Sequence, residues 1–386
     1  MSTEKLFIEP GIGESAEFLS EQLITYIGNK RALLFPIESA VQKVFNQLGR
    51  RKLRTFDGFT GSGVVGRLFK QYSSLVVAND LERYANVIGD CYLTNREDVD
   101  ISKLESLISK MNREAEKSPV CDGIFRRLYS PMDEEDIKVG DRVFYTPENA
   151  QRLDTYRTLL DDVEQRYWPF ILGPLLSKAS IHVNTAGVFK GFYKDSKTGL
   201  GKFGGSAGNA LQRIRGEIKL QLPIFSNFAS EKLILNGDVK SVASEVENID
   251  LAYFDPPYNQ HPYGSNYFML NLLVEYTEPT IVSKVSGIPL DWNRSELNKK
   301  QLAYDALQST LSNVDARFLL VSYNSEGFIS PEEMRIMLDG LGTIEEMQLQ
   351  YNTYRGSRNL SNRETYVTEH LFLVDKQREV GNVKKR

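Results

Sequence analysis

The residues best suited to chemistry are Asp255-Pro256-Pro257-Tyr258, which end an apolar run that starts at Ile249. The run reads as a buried strand, and the prolines stop it because neither can donate to a sheet ladder. Pro257 also biases Pro256 toward an extended backbone. The result is a rigid corner just past the carboxyl end of a strand, where open α/β sheets place their ligands. A carboxylate and the Pro256 carbonyl, fixed there, can each accept one hydrogen from an exocyclic amine. The Tyr258 ring offers a face to the flat heterocycle carrying that amine. The same four residues would also serve as a strand-ending turn with a capping Asp, so the surrounding elements must decide.

Those elements form a strand–glycine–helix unit upstream. Residues 53–59 predict a first parallel strand, with Asp57 and Phe59 at its carboxyl end. Gly61, Gly63 and Gly66 follow and open an amphipathic helix carrying Val65, Leu68 and Phe69. This order brings backbone N–H groups close to a ligand. A second strand over 75–79 ends in Asp80, about twenty residues beyond the glycines, where a carboxylate can hold a ribose hydroxyl. A nicotinamide dinucleotide fold fits these residues equally well at this point, and Asp80 also fits as a plain helix cap. Farther on, residues 233–235 predict a strand closed by Asn236-Gly237-Asp238. Asp238 either accepts from an adenine amino group or is a turn residue. Residues 317–323 predict a fifth strand, and 344–351 pair with 365–374 to finish the sheet.

The composition, 41% apolar and 25% charged over 386 residues, is that of a globular protein of about two domains. No run is long enough to span a bilayer, and Met1-Ser2-Thr3-Glu4-Lys5 does not begin a secretory leader. A cytoplasmic location is expected. Cys91 and Cys121 have no metal or redox spacing, and no metal site is predicted. Asp133-Glu134-Glu135-Asp136 is expected to be an exposed acidic turn. With a net charge of only −4, nucleic-acid binding requires locally concentrated cations. Between 190 and 219 seven Lys or Arg face only Asp195 and Glu217. Lys190, Lys194, Lys197 and Lys202 alternate there with aromatic rings and glycines, a pattern suited to phosphates and bases. Arg355 and Arg358 sit in a second basic loop, a candidate phosphate clamp.

The motifs occur in the order Tyr26-Ile27-Gly28-Asn29-Lys30, then Asp57-Gly58-Phe59-Thr60-Gly61-Ser62-Gly63, a long insert, Asn236-Gly237-Asp238 and finally Asp255-Pro256-Pro257-Tyr258. This order resembles that of the alpha-ordered adenine-N6 DNA methyltransferases of restriction–modification systems. The resemblance implies a Rossmann-like α/β fold with a mostly parallel sheet and an antiparallel last strand. It implies an S-adenosylmethionine-binding catalytic domain over 1–90 and 230–386, and an inserted, mainly helical target-recognition domain over 91–229. Tyr26 and Lys30 would close the methionine end of the cofactor pocket. Asp57, Phe59, Gly61 and Gly63 would form its floor, Asp80 would hold the ribose, and Asp238 the adenine amine. Asp255 and the Pro256 carbonyl would accept from a flipped-out adenine, with Pro257 bracing the corner and Tyr258 stacking on the base. Double-stranded DNA, and a cognate restriction endonuclease, would be the partners. Gly58 departs from the family, which often carries a bulkier residue there. Two alternatives remain: a related amino methyltransferase acting on RNA or cytosine N4, and a non-catalytic DNA-binding protein on the same fold.

Overall fold

A computed structural model describes residues 13–205, 208–352 and 366–376. Seven strands make one sheet: β1 (Leu53–Asp57), β2 (Ser73–Asp80), β3 (Glu231–Asn236), β4 (Ile249–Phe254), β5 (Ala316–Asn324), β6 (Thr343–Asn352) and β7 (Tyr366–Asp375). They lie in the order β3-β2-β1-β4-β5-β7-β6. All neighbours run parallel except β7, which is antiparallel to both β5 and β6. This is the Rossmann-like α/β sheet expected from the sequence. The order reverses between β1 and β4, so the chain leaves their carboxyl ends in opposite directions and opens a crevice there. The register pairs Asp57 with Tyr253, which brings Gly58 and Asp255 to one edge of the sheet.

Both sheet faces are covered, which is why the strands are continuous apolar runs. Alternate residues feed two cores. Val76, Leu251, Tyr253, Phe318 and Leu371 point to one side, while Phe56, Val77, Phe254, Val321 and Phe372 point to the other. The first side is packed by α1 (Leu34–Gln47), α2 (Val64–Tyr72) and α3 (Arg83–Leu93). The insert adds α4 (Ile101–Lys117), α5 (Pro147–Leu159) and α6 (Trp168–Ile181) to that same core. Helix α6 lies against α3 so closely that a Cβ on Gly173 would meet Cys91 Sγ at 2.9 Å. The second side is packed by α8 (Lys300–Asn313) and α9 (Pro331–Asp339), while α7 (Phe268–Glu275) follows the Asp255 loop on the first. Among the described residues no helix is long and apolar enough to cross a membrane.

Candidate active site

The glycine turn is built on two residues with positive φ, Gly61 at 51° and Gly63 at 74°, the latter capping α2. Gly61 N–H donates to Asp80 Oδ2 at 2.7 Å, and Glu82 N–H donates to Asp80 Oδ1 at 2.9 Å. Asp80 thus ties the end of β2 to the turn after β1, and burial pushes its carboxyl up to about 6. Glu82 is buried beside it and accepts from Asn271 and Asn293 side chains at 2.5 and 3.2 Å. Burial, with the Asp80 charge adding to it, raises Glu82 to about 7. Gly58 has a packing reason: a Cβ there would touch the Phe254 ring at 3.0 Å and Val239 at 3.3 Å.

Asp57 is buried, and one of its oxygens accepts from Phe59 N–H at 3.3 Å. The other, Oδ2, has no well-formed hydrogen bond among the described residues, and neither has the nearby Tyr253 hydroxyl. Burial raises Asp57 to about 8, against the pull of the Phe59 and Gly66 N–H groups. Both side chains line an inner pocket with Gly28, Lys30, Gly61 and Asp255. A buried carboxyl that lines a pocket is a natural partner for a ligand's ammonium group.

The Tyr26–Lys30 segment closes this pocket from above. Tyr26 stacks on Tyr263 and on Tyr267, each at 4.9 Å, and its ring covers Gly61. Ile27 is held from both sides, its N–H donating to Tyr267 Oη at 2.7 Å and its carbonyl accepting from Tyr263 Oη at 3.2 Å. The Lys30 ammonium lies 3.0 Å from Asp255 Oδ1 and 2.8 Å from Glu369 Oε1. Glu369, on β7, also accepts from Ser322 at 2.6 Å and Asn324 at 3.2 Å. Lys30 and Glu369 are sealed, at 6% and 1% side-chain exposure, whereas Asp255 keeps 22% and is the member a ligand can reach. Burial raises the Asp255 carboxyl while Lys30 opposes the rise.

An outer cleft of about 650 Å³, open mouth included, continues from the inner pocket. Tyr26, Phe59 and Asp255 border both spaces. Asp80, Glu82, Asp238, Pro257 and Asn293 line the outer one. Asp238 also caps a short helical turn, accepting from Lys240 N–H at 3.0 Å. The structure thus gathers Tyr26, Lys30, Asp57, Phe59, Gly61, Asp80, Asp238, Asp255 and Pro257 around one continuous space. Gly63 stands back from it against Ile88, Pro256 is buried, and Tyr258 is partly buried against the second core. Glu82, Asn293 and Glu369 escaped sequence reasoning. Glu82 follows Asp80 closely enough to be suspected, but nothing in the sequence links a glutamate on the last strand to Asp255.

The basic residues divide into two groups. Lys190, Lys194, Lys197 and Lys202 belong to a small hairpin in which residues 194 and 201 pair. Lys194 and Lys197 are exposed, Lys190 is half-buried, and Lys202 approaches Asp195 at 3.9 Å. The Phe189 N–H donates to the Asn266 carbonyl at 2.8 Å, placing the start of this hairpin against the loop after Asp255. Arg213, Arg215 and Lys219, by contrast, are engaged with backbone carbonyls, Glu134 and Glu116. Arg355 and Arg358 lie outside the described residues.

Residues 26–337 match the profile of the D12 class N6 adenine-specific DNA methyltransferases. Type II methyltransferase M.NlaIII of Neisseria lactamica is 25% identical over 92% of this chain and 99% of its own length. Type II methyltransferase M.CviAII of Paramecium bursaria Chlorella virus 1 is 28% identical over 91% and 98%. Type II methyltransferase M.FokI of Planomicrobium okeanokoites is 26% identical over 91% of this chain but only 52% of its own. With the profile covering most of the chain, over the turn, the cleft and the Asp255 corner described above, the protein belongs to the D12 class of N6 adenine-specific DNA methyltransferases.

Proposed function

We propose that this adenine-N6 DNA methyltransferase takes its methyl group from S-adenosylmethionine and serves as the protective methylase of a restriction–modification system in the cytoplasm, partnered with a cognate endonuclease. The type II names of its relatives support that setting. The residues fit the donor. Asp57, buried at the wall of the inner pocket, meets an ammonium group, Asp80 with Glu82 beside it meets the ribose, and Asp238 meets the adenine amine. When bound, S-adenosylmethionine supplies a methyl group on a positively charged sulfur.

The chain's own residues prepare the acceptor. Asp255 and the Pro256 carbonyl each accept one N6 hydrogen of the target adenine, drawing the amine away from conjugation with its ring and freeing its lone pair. Lys30, oriented by Glu369, offsets part of the burial that raises the Asp255 carboxyl. Such a corner is out of reach for a base inside a duplex, so the adenine is flipped out at a cost of a few kcal/mol. Stacking on Tyr258 returns about 1–3 kcal/mol of this. Residues 1–90 and 230–386 form the catalytic domain in this reading and 91–229 the target-recognition domain. Lys190, Lys194, Lys197, Lys202, Arg355 and Arg358 lie along DNA phosphates.

One observation carries the proposal: Asp255 borders both the inner pocket of the glycine turn and the outer cleft. Asp255→Ala should retain labelled S-adenosylmethionine while methyl transfer to duplex DNA falls by about 10²–10³-fold or more. Wild-type turnover in that variant would remove Asp255 from the reaction.

A further inference from the structure

A second hairpin, residues 281–290, stands beside the basic one, between α7 and α8. Val282 pairs with Pro289, Ser283 N–H donates to the Ile288 carbonyl at 2.8 Å, and Gly287 N–H donates to the Ser283 carbonyl at 3.0 Å. Its turn is fastened from below. Tyr129 Oη donates to the Gly287 carbonyl at 2.7 Å, and Ser286 Oγ donates to the Lys190 carbonyl. Gly287 has φ +70°, and a Cβ there would strike Tyr129 at 2.8 Å, so the turn sits directly on that ring. A hairpin pinned in this way would be expected to turn its apolar side chains inward. Instead Ile281, Val285 and Leu290 are 64%, 56% and 55% exposed, and Lys284 beside Val285 is exposed as well.

Its neighbours indicate what it meets. Lys284 is exposed next to Val285, and the adjoining basic hairpin carries the exposed Lys194 and Lys197, its Asp195 carboxylate taken up by the N–H groups of Lys197 and Thr198. Ser286 joins the tip to Lys190, and Phe189 joins that strand to Asn266 in the loop following Asp255. An exposed apolar tip that carries Lys284, adjoins the basic hairpin and is tied through it to the segment after Asp255 matches duplex DNA, whose phosphates take the lysines and whose stacked bases take the apolar side chain. Resting on the DNA methyltransferase reading above, we infer that the 281–290 hairpin is a wedge, with Val285 entering the base stack to fill the space left by the flipped adenine.

The test uses the full chain and a duplex bearing the site found by sequencing modified DNA, with 2-aminopurine at the target adenine. Val285→Ala should cut the fluorescence rise on binding, and methylation of the matched duplex, by about tenfold, the effect of roughly two methylenes no longer buried. An abasic site opposite the target, which makes extrusion easy, should bring the variant back to the wild-type rate. Undiminished flipping by the triple variant Ile281→Ala, Val285→Ala, Leu290→Ala would overturn the wedge. So would an equal loss on matched and abasic duplexes, or unchanged flipping with loss of self-association, which would assign the tip to a protein contact. Wild-type protein that methylates no duplex at all would instead remove the reading beneath it.

Discussion

Asp57, the ammonium partner in the proposed reading, also bears on stability. Its carboxyl rises to about 8 because burial outweighs two backbone N–H groups. A carboxyl raised in the folded state keeps its proton where the unfolded chain has lost it. It therefore weakens folding progressively from the unfolded value of 3.8 up to about 8, above which the penalty is constant. Asp57→Asn should accordingly raise the melting temperature of the ligand-free protein at pH 8 while abolishing S-adenosylmethionine binding, both read by thermal shift with and without the ligand. A melting temperature that fell, or a ligand shift that survived, would count against that role for Asp57. In the proposed reading, ligand binding should also release a proton below about pH 8, because a cation beside Asp57 favours its ionised form. At this scale the sequence was informative where residues lie next to a glycine turn or a proline corner, as Asp57 and Asp255 do. Glu369 was not legible, since its meaning comes from strand pairing that places it beside Ser322 and Asn324.

Among the elements, the turn after β1 is shaped as much by what lies above it as by its own glycines. Gly61 has φ +51°, and an added Cβ would meet the Tyr26 ring at 3.0–3.2 Å. Gly61→Ala should thus both strain the turn and displace the Tyr26–Lys30 segment. The expected outcome is a loss of about 1–3 kcal/mol of stability and a weakened cofactor complex, measured by denaturant unfolding and isothermal titration. Unchanged values would mean that the segment moves freely. The strands were readable because burial on both faces makes them apolar runs bounded by turn residues. Helix α6 was not, since Phe170, Ile171, Leu172, Leu175 and Leu176 are all buried and leave no amphipathic period. Helix α5 ends at Leu159 and gives way to two short 3-10 turns before α6 begins.

For the molecule as a whole, DNA affinity must come from local charge, because the net charge is −4. Composition points to the 190–219 stretch, yet only its first part is available; Arg213, Arg215 and Lys219 are occupied within the protein. A sequence shows cations but not their partners, which lie more than eighty residues away in the case of Arg215 and Glu134. Lys194→Ala with Lys197→Ala should lower the slope of log affinity against log salt by about two units, one for each phosphate no longer neutralised, as read by fluorescence anisotropy. An unaltered slope would move the phosphate-binding surface elsewhere.

The last strand of the sheet carries a further consequence. Glu369 reaches Lys30, near the opposite end of the polypeptide, and Lys30 in turn reaches Asp255. That contact exists only because β7 pairs with β5, where Glu369 lies opposite Asn324. In the reading proposed above, the corner that readies the acceptor is thus completed by a strand distant in sequence from the glycine turn that meets the donor.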